Sequence, residues 1–168
     1  KGGVIIMWGI GYNQHIHGQN NVISIINLLN LTGNVAKPGC GPFSMTGQPN
    51  AMGGREVGGL ATLLAAHMDI NNTQHQDIVR RFWQSKTMAN KEGLKAVELF
   101  QAVAMGKVKA VWIMGTNPVV SMPDADLVRM ALASCDSVVV SDCVRHTDTT
   151  DLAQILLPAT TWGEKDGT

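Results

Sequence analysis

The sequence predicts an α/β protein, a three-layer Rossmann-like domain in which helices flank a mainly parallel sheet. Two observations indicate this fold. Short apolar segments rich in β-branched residues recur along the chain, and helical segments with an apolar face separate them. Strands that are apolar throughout are usually buried on both faces, so the alternation is typical of a parallel sheet covered by helices.

The first elements are a strand and a helix. Val4–Trp8 is a short apolar run that predicts a buried strand, and Gly9 and Gly11 bound it. Asn20 is expected to cap a helix over Val22–Leu31, whose apolar residues surround most of its circumference, so we expect it to be packed on both sides. Gly33 is the expected left-handed stop of this helix.

A glycine-rich segment follows, from residue 33 to residue 59. It holds eight of the 18 glycines and three of the six prolines, and its apolar residues follow neither the helical nor the strand period. Loops of this length inside a compact domain are usually functional or disordered. We interpret residues 33–59 as a long active-site loop.

The second half of the chain alternates helices and strands. Leu60–Ala66 and Asp77–Trp83 are predicted to be short helices, with Asp69–Gln76 as a surface excursion between them. Ser121 with Asp124 resembles a capping box for a helix with a core face at Leu127, Val128, Ala131 and Leu132. The remaining predictions are a helix and three strands: Leu94–Met105 ended by Gly106, and Val108–Met114, Ser137–Val140 and Gln154–Leu157.

Composition narrows the class of protein. The chain has 168 residues, of which 45% are hydrophobic and 15% charged, so we expect one folded domain rather than disorder. Thirteen basic and 13 acidic residues cancel without a run of like charge, and no apolar stretch is long enough to span a bilayer. We therefore expect neither a nucleic-acid nor a membrane partner.

Cysteine usage and the chain ends give two further expectations. Cys40, Cys135 and Cys143 are an odd number at wide spacings, which indicates a reducing, cytoplasmic setting rather than a disulfide framework. The chain begins at Lys1 and stops at Thr168 without completing an element. We expect an internal fragment of a larger protein.

Candidate binding residues follow the predicted strands, because parallel sheets bind ligands at the carboxyl ends of their strands. Gly9-Ile10-Gly11 resembles a dinucleotide fingerprint, although Gln14 stands where the third glycine should be. Free backbone N–H groups in this loop, together with the Gln14 amide, suit a diphosphate. The alternative is a tight turn into a helix.

The later strand ends carry Thr116-Asn117 and Ser141-Asp142. An ionised Asp142 can accept two parallel N–H bonds from a guanine edge, or bonds from two ribose hydroxyls, and Ser141 adds a hydroxyl. Thr116 and Asn117 offer donors and acceptors. The alternatives are that Asp142 caps a turn and that Asn117 before Pro118 is ordinary turn chemistry.

Polar residues in the glycine-rich segment are candidates for substrate contacts. Gly47–Asn50 and Gly53–Glu56 carry polar groups on backbone that can approach a ligand closely. The fork-shaped, always charged Arg55 suits a planar oxyanion such as nitrate, and the alternative is an ion pair with Glu56. His15, His17 and Cys40 could be metal ligands, but hydrogen-bonded histidines and a small buried cysteine are the simpler interpretation.

Six segments resemble one enzyme family. In order they are GIGYNQHIHG, LTGNVAKPG, FSMTGQPNAMGGREVGG, VWIMGTNPVVSMPD, VVVSD and LLPATTWGEKDGT. They are similar to the bis-molybdopterin guanine dinucleotide oxidoreductases, and most similar to bacterial assimilatory nitrate reductases. The resemblance covers the chain except for about residues 69–90.

The resemblance implies a longer catalytic subunit that reduces nitrate to nitrite. Such a subunit carries two pterin guanine dinucleotides around one molybdenum and a 4Fe-4S cluster upstream, and it takes electrons from a donor protein. Neither the cluster nor a protein ligand of molybdenum lies in this chain. The fragment alone is therefore expected to be inactive and to form a Rossmann-like domain that holds one dinucleotide.

The resemblance also implies site residues. Cofactor contacts would fall on Ile10, Gln14, Asn117, Ser141, Asp142 and Lys165, with Gly11 and Thr116 beside them. Thr46, Gln48 and Arg55 match the loop that relatives place near the metal and the substrate funnel. Formate-oxidising relatives carry an arginine where this chain has Thr46, which favours nitrate.

Three alternatives stay open at this point. The chain could be a stand-alone guanine-nucleotide-binding module without redox activity, a formate dehydrogenase-type relative, or a structural domain whose glycine-rich segment serves subunit docking. An upstream cysteine cluster in the parent gene is required by the nitrate reductase reading and not by the first or third alternative.

Overall fold

The computed structural model describes residues 2–48 and 50–166, so Pro49 of the glycine-rich segment and Gly167 and Thr168 of the closing motif lie outside it. Its contacts divide the chain into two compact units, Lys1–Gly54 and Arg55–Thr168. Each unit contains a short parallel sheet with helices. The predicted α/β class is confirmed.

The first unit is built on two parallel strands. β1 (Ile5–Trp8) pairs with β2 (Gly41–Ser44) in the register Ile5↔Gly41 to Trp8↔Ser44. Between them lie α1 (Ile10–Asn13) and α2 (Gly18–Leu31). The first strand thus matches its prediction, whereas the second falls in residues 33–59, which were predicted to be a loop.

Helix α2 begins earlier than predicted. Its N-cap position is His17, without a side-chain capping bond, so Asn20 lies inside the helix and the predicted cap was wrong. Of its apolar side chains only Ile25 and Leu29 are buried, while Leu31 is 86% exposed, so packing on both sides was also wrong. Gly33 does adopt the predicted left-handed conformation, with φ of 63°.

Buried Asn34 joins the end of α2 to the start of β1. Its side-chain oxygen accepts from the backbone N–H of Val4 at 3.2 Å, and its amide nitrogen donates to the carbonyl and hydroxyl oxygens of Thr32. Both ends of the amide are therefore satisfied, as a buried polar side chain requires.

The glycine-rich segment is more ordered than a loop. Besides β2 it contains α3 (Ala51–Glu56), which lies across the boundary between the units. The side-chain oxygen of Asn50 accepts from the N–H of Gly53 at 3.1 Å and supports the first turn of this helix. Strand β2 could not be predicted from the sequence, because it has only four residues and includes Pro42. Proline is rare in strands except at the edges of a sheet.

The second unit opens with an irregular segment in which two predictions fail. Leu60–Ala66 is not a helix, because a 3-10 turn at Ala65–His67 contains two left-handed residues, Ala66 and His67, with φ of 55° and 56°. The next helix, α4 (Thr73–Phe82), starts inside the predicted surface excursion. Asn72 caps it by accepting from the N–H groups of Gln74 and His75.

Three parallel strands form the sheet of the second unit, in the order β3 (Ala110–Met114), β4 (Ser137–Asp142) and β5 (Ile155–Pro158). The helices around it are α5 (Ala96–Ala104), α6 (Pro118–Ser121) and α7 (Ala125–Ser134). The core lies where α5 and α7 pack on one face of this sheet. It comprises Phe100, Val103, Ile113, Val119, Val128, Ala131, Leu132, Cys135, Val138 and Val140.

The cap of α7 differs from its prediction. Asp124 is itself the N-cap and accepts from the N–H of Leu127 at 3.0 Å, whereas Ser121 ends α6. The core face was correctly predicted, since Val128, Ala131 and Leu132 are buried. The opposite face of the sheet is exposed: Trp112 and Met114 of β3 keep 61% and 63% of their surface.

Candidate ligand site at the carboxyl ends of the strands

In the first unit, predicted residues gather at the carboxyl ends of β1 and β2. Ile10 and Gly11 lie in α1 directly after β1, and Gln14 is its C-cap. Thr46 and Gln48 follow β2, whose last residue pairs with the last residue of β1. The N–H of Met45 donates to the carbonyl of Trp8 at 2.8 Å, which keeps the two chain ends side by side.

Trp8 ends β1 with a polar atom that has no partner. Its indole Nε1 is buried, and no acceptor lies within hydrogen-bonding distance in the described part of the chain. Buried donors of this kind are rare in folded proteins, and each calls for an acceptor. This N–H belongs to the last residue before the loop that the sequence predicts to contact a ligand.

Arg55 lies in the last turn of α3 and is exposed. It forms no ion pair with Glu56 or with any other carboxylate of residues 2–48 and 50–166. The predicted alternative, an Arg55–Glu56 pair, is therefore not formed. His15 and His17 are hydrogen-bonded to each other, with the N–H of His17 donating to Nδ1 of His15 at 3.2 Å.

In the second unit, the strand register aligns the predicted residues along one edge of the sheet. Met114 pairs with Ser141, and Ser141 with Leu157, while Asp142 pairs with Pro158. Thr116 and Asn117 therefore leave β3 at the level where Ser141 and Asp142 end β4. Neighbouring strands are about 4.8 Å apart, so these groups are within the span of one small ligand.

A pocket of about 250 Å³ opens beside this edge. Its lining residues are Asp142, Cys143, Arg145, Leu156 and Pro158. Arg145 was not predicted, because it lies three residues beyond the strand and in no recognisable pattern. It makes no ion pair in the described part of the chain, which leaves its guanidinium available to an anion.

The protein already uses part of the hydrogen-bonding capacity of Asp142 and Ser141. The N–H of Val144 donates to Oδ1 of Asp142 at 2.9 Å, so Asp142 does cap a turn, and its Oδ2 is left for another donor. Nε1 of Trp112 donates to Oγ of Ser141 at 2.9 Å. The Ser141 hydroxyl hydrogen is then available to a ligand acceptor.

Asn117 and Lys165 complete the predicted set. Asn117 is partly buried, and its side-chain oxygen lies 2.6 Å from the hydroxyl of Thr149. Lys165 is exposed and follows a 3-10 turn, Trp162–Glu164, beyond β5. This turn is held by the Glu164 carboxylate, whose pKa is lowered because the backbone N–H and the hydroxyl of Thr161 both donate to it.

The described residues contain neither a cluster of metal-binding side chains nor a membrane-spanning helix. No group of three or more His, Cys, Asp or Glu side chains in residues 2–48 and 50–166 is arranged to hold a metal ion. Within the same residues, no helix is both long and apolar enough to cross a membrane.

Polar groups at the carboxyl ends of parallel strands, a cationic pocket wall and free backbone N–H groups are the features of α/β domains that bind phosphate-linked ligands. Residues 3–168 match the family model described as "Molybdopterin oxidoreductase". The chain belongs to this family, and the family implies a molybdenum–pterin cofactor.

Curated relatives named nitrate reductase cover nearly the whole chain. The chain is 55% identical to the protein of Klebsiella oxytoca over 166 residues, 98% of this chain and 19% of that protein. It is 51% identical to that of Shewanella frigidimarina (94% and 17%) and 47% identical to that of Synechocystis sp. (98% and 23%). The chain therefore spans about a fifth of the length of these relatives.

Proposed function

We propose that this chain is a cofactor-holding part of a molybdenum-dependent nitrate reductase, which converts nitrate to nitrite. The observation that carries the proposal is the alignment of Asn117, Ser141 and Asp142 along one edge of the β3–β5 sheet, beside the pocket that Arg145 lines. The names of the relatives supply the reaction.

The groups at this edge suit the dinucleotide form of the cofactor, molybdopterin guanine dinucleotide. The free Oδ2 of Asp142 is an acceptor for the N–H groups of a guanine edge or for ribose hydroxyls. The Ser141 hydroxyl, the Arg145 guanidinium and Lys165 are donors suited to phosphate or ribose oxygens. Because both hydrogen-bond donors and acceptors are present, the residues fit a ligand that joins a purine to a diphosphate.

The first unit has its own set of candidate cofactor contacts. Ile10, Gly11 and Gln14 follow β1, where small residues leave the backbone open to close approach. The buried indole N–H of Trp8 has no acceptor in the described residues. This observation supports the proposal that a ligand, or a further part of the polypeptide, supplies an acceptor near this strand end.

Thr46, Gln48 and Arg55 are proposed to act on the substrate. When bound, the molybdenum–pterin cofactor supplies the two-electron redox chemistry that nitrate reduction needs. Arg55, exposed and without an ion pair in the described chain, would attract and orient the planar nitrate anion. Gln48 and Thr46 would add neutral hydrogen bonds to its oxygens.

The relatives also bear on the alternatives. The relatives are about five times as long as this chain. Their length favours the interpretation of the chain as a domain of a larger enzyme over that of a stand-alone nucleotide-binding module. Three names giving nitrate reductase favour nitrate over formate as substrate. We propose that the parent protein also carries a 4Fe-4S cluster, receives electrons from a donor protein and works in the cytoplasm in nitrate assimilation.

The test is the substitution Asp142→Asn in the full-length protein. The Asn oxygen can still accept from the N–H of Val144, so the turn is preserved, but an NH₂ group replaces the free acceptor. The loss of a hydrogen bond to a charged group, about 1.5–3 kcal/mol, predicts a fall in cofactor affinity of roughly 10- to 150-fold. The readout is guanine released by acid hydrolysis per protein chain.

Asp136→Asn is the matched control. Asp136 directly precedes β4 at its opposite end and pairs with Lys109 at 3.2 Å on the exposed surface. Asp136 and Asp142 are six residues apart along an extended strand, which corresponds to roughly 20 Å. Full guanine content in Asp142→Asn, or an equal loss in Asp136→Asn, would refute the proposed role of this strand end.

A further inference from the structure

The hydroxyl of Thr149 is the most deeply buried polar group beside the strand-end site. Thr149 has no exposed surface, although it lies in the connection between β4 and β5. Its Oγ1 accepts from the backbone N–H of Val119 at 3.2 Å and lies 2.6 Å from Oδ1 of Asn117. It thus connects the chain after β4 to the chain after β3, across 32 residues.

The direction of the Thr149–Asn117 hydrogen bond follows from the number of donors and acceptors. The N–H of Val119 can only donate, so the Thr149 hydroxyl hydrogen needs a different partner. Within the described chain the partner is the side-chain oxygen of Asn117. If the Asn117 amide were rotated by 180°, two donors would point at Thr149 and its own hydrogen would be buried without an acceptor, which native structures avoid.

One orientation of the Asn117 amide is therefore favoured before any ligand binds. The oxygen faces Thr149, and the NH₂ group faces away from it. In residues 2–48 and 50–166 this NH₂ group has no acceptor. Asn117 is the N-cap position of α6, yet its side chain makes no capping bond, so the amide is not used by the helix.

The segment that carries Thr149 is itself held in place. Four hydrogen bonds join Thr147 and Thr150. The N–H of Thr147 donates to the Thr150 hydroxyl at 2.6 Å, and the N–H of Thr150 donates to the Thr147 hydroxyl at 3.0 Å. The two hydroxyls lie 3.1 Å apart, and the Thr150 hydroxyl is also 3.2 Å from the Thr147 carbonyl oxygen. Asp148, between them, pairs with Arg129 of α7 at 3.4 Å. The position of Thr149 is thus set by the fold and needs no ligand.

We infer that Thr149 is a positioning residue, which fixes Asn117 so that its NH₂ group is presented to the strand-end site as a hydrogen-bond donor. The partner of Asn117 is then an acceptor oxygen of the guanine dinucleotide, on its diphosphate or its ribose. This inference rests on the proposed function, because it assumes that Asn117 contacts the cofactor.

The experiment is a double-mutant cycle in the full-length protein, with the rate of guanine dinucleotide loss as readout. Thr149→Val removes the hydroxyl at nearly constant volume and is expected to speed cofactor loss about tenfold, since an unfixed amide samples both orientations and loses its buried partner. Thr149→Ser keeps the hydroxyl and is expected to stay within about threefold of the parent.

The decisive comparison uses Asn117→Ala as the background. If Thr149 acts through Asn117, adding Thr149→Val to Asn117→Ala produces no further loss, because the group being positioned is already absent. A merely structural Thr149 would weaken binding by the same factor in both backgrounds. Such additivity, or a Thr149→Ser variant as poor as Thr149→Val, would overturn the inference.

Asn117→Asp tests the donor assignment if Thr149→Val fails to fold. The aspartate keeps an oxygen for the Thr149 hydroxyl but replaces the NH₂ donor by a second acceptor. Cofactor loss at least as fast as in Asn117→Ala is expected, and a parent-like rate would refute the donor role. If Asn117→Ala itself keeps the cofactor, the proposed function of Asn117 fails, which is a different outcome from additive effects at Thr149.

Discussion

Arg145 gives the sharpest prediction about binding, because it lines the pocket beside Asp142 and has no ion pair in the described chain. Replacing Arg145 by glutamine removes the charge and keeps much of the length. At 4 Å, one pair of unit charges interacts by about 1 kcal/mol in water and about 4 kcal/mol near a protein surface. Since Arg145 is exposed, we expect the lower part of this range.

A loss of about 1–2 kcal/mol corresponds to roughly a 5- to 30-fold faster loss of guanine dinucleotide from the full-length protein. The difference should shrink as salt rises, because the screening length falls from about 30 Å at 0.01 M to about 8 Å at 0.15 M. The assay is therefore the rate of cofactor loss for Arg145→Gln and parent at both ionic strengths.

Arg81→Gln serves as the control, with the same change at an exposed arginine of α4 that pairs with Asp77 at 2.6 Å. It is expected to change the rate less than about twofold. An Arg145→Gln variant equal to the parent at low salt, or a loss that does not depend on salt, would refute the assignment of an anion contact to Arg145.

Two further predictions concern the fold. Leu132→Ala removes a side chain with no exposed surface and should lower the free energy of unfolding by about 2–5 kcal/mol. Leu31 is 86% exposed, so Leu31→Ala should change the free energy of unfolding by less than about 0.5 kcal/mol. Denaturant titration measures both changes. The lowered pKa of Glu164 means that its capping contribution is present above the ordinary carboxyl pKa and is lost as pH falls through the lowered value. The Thr161 amide resonance should therefore titrate with a midpoint below the ordinary pKa of a glutamate, and Glu164→Gln should abolish this titration. A midpoint above the ordinary value would contradict the capping bond.

Much of the second unit could be predicted from the sequence. The strands β3, β4 and β5 are short apolar runs that end at turn residues, and α7 shows its buried face as a helical period in Val128, Ala131 and Leu132. Because parallel strands end at a common edge, placing Asn117 and Asp142 near each other required only the strand assignments.

The failures have physical causes that sequence periodicity does not record. Strand β2 has four residues, includes Pro42, and is specified by its pairing with β1 more than by its own propensity. At Ala66 and His67 two residues without special preference adopt left-handed conformations, which breaks an otherwise plausible helix. Asn20 and Asn72 are the same residue type and have the same intrinsic preference for the N-cap position. Asn72 caps α4, whereas Asn20 lies inside α2, and the sequence does not distinguish these two outcomes.

Arg145 and Thr149 were missed for a different reason. Their proposed roles depend on contacts across the fold, such as the hydrogen bond between Thr149 and Asn117, and neither residue belongs to a local pattern. The roles of all the site residues remain predictions, to be tested by the same cofactor and activity measurements; these residues are Ile10, Gly11, Gln14, Thr46, Gln48, Arg55, Thr116, Asn117, Ser141, Asp142 and Lys165.

The last two residues of β4 are consecutive, and side chains alternate along a strand, so Ser141 and Asp142 leave opposite sides of the sheet. Deleting any one residue from the middle of β4 would invert this alternation. Val138 and Val140 could then not both stay in the core while Ser141 stays beside Trp112. Side chains at this edge of the sheet can therefore be exchanged one by one, but β4 cannot gain or lose a single residue in its middle without disturbing both the core and the strand end.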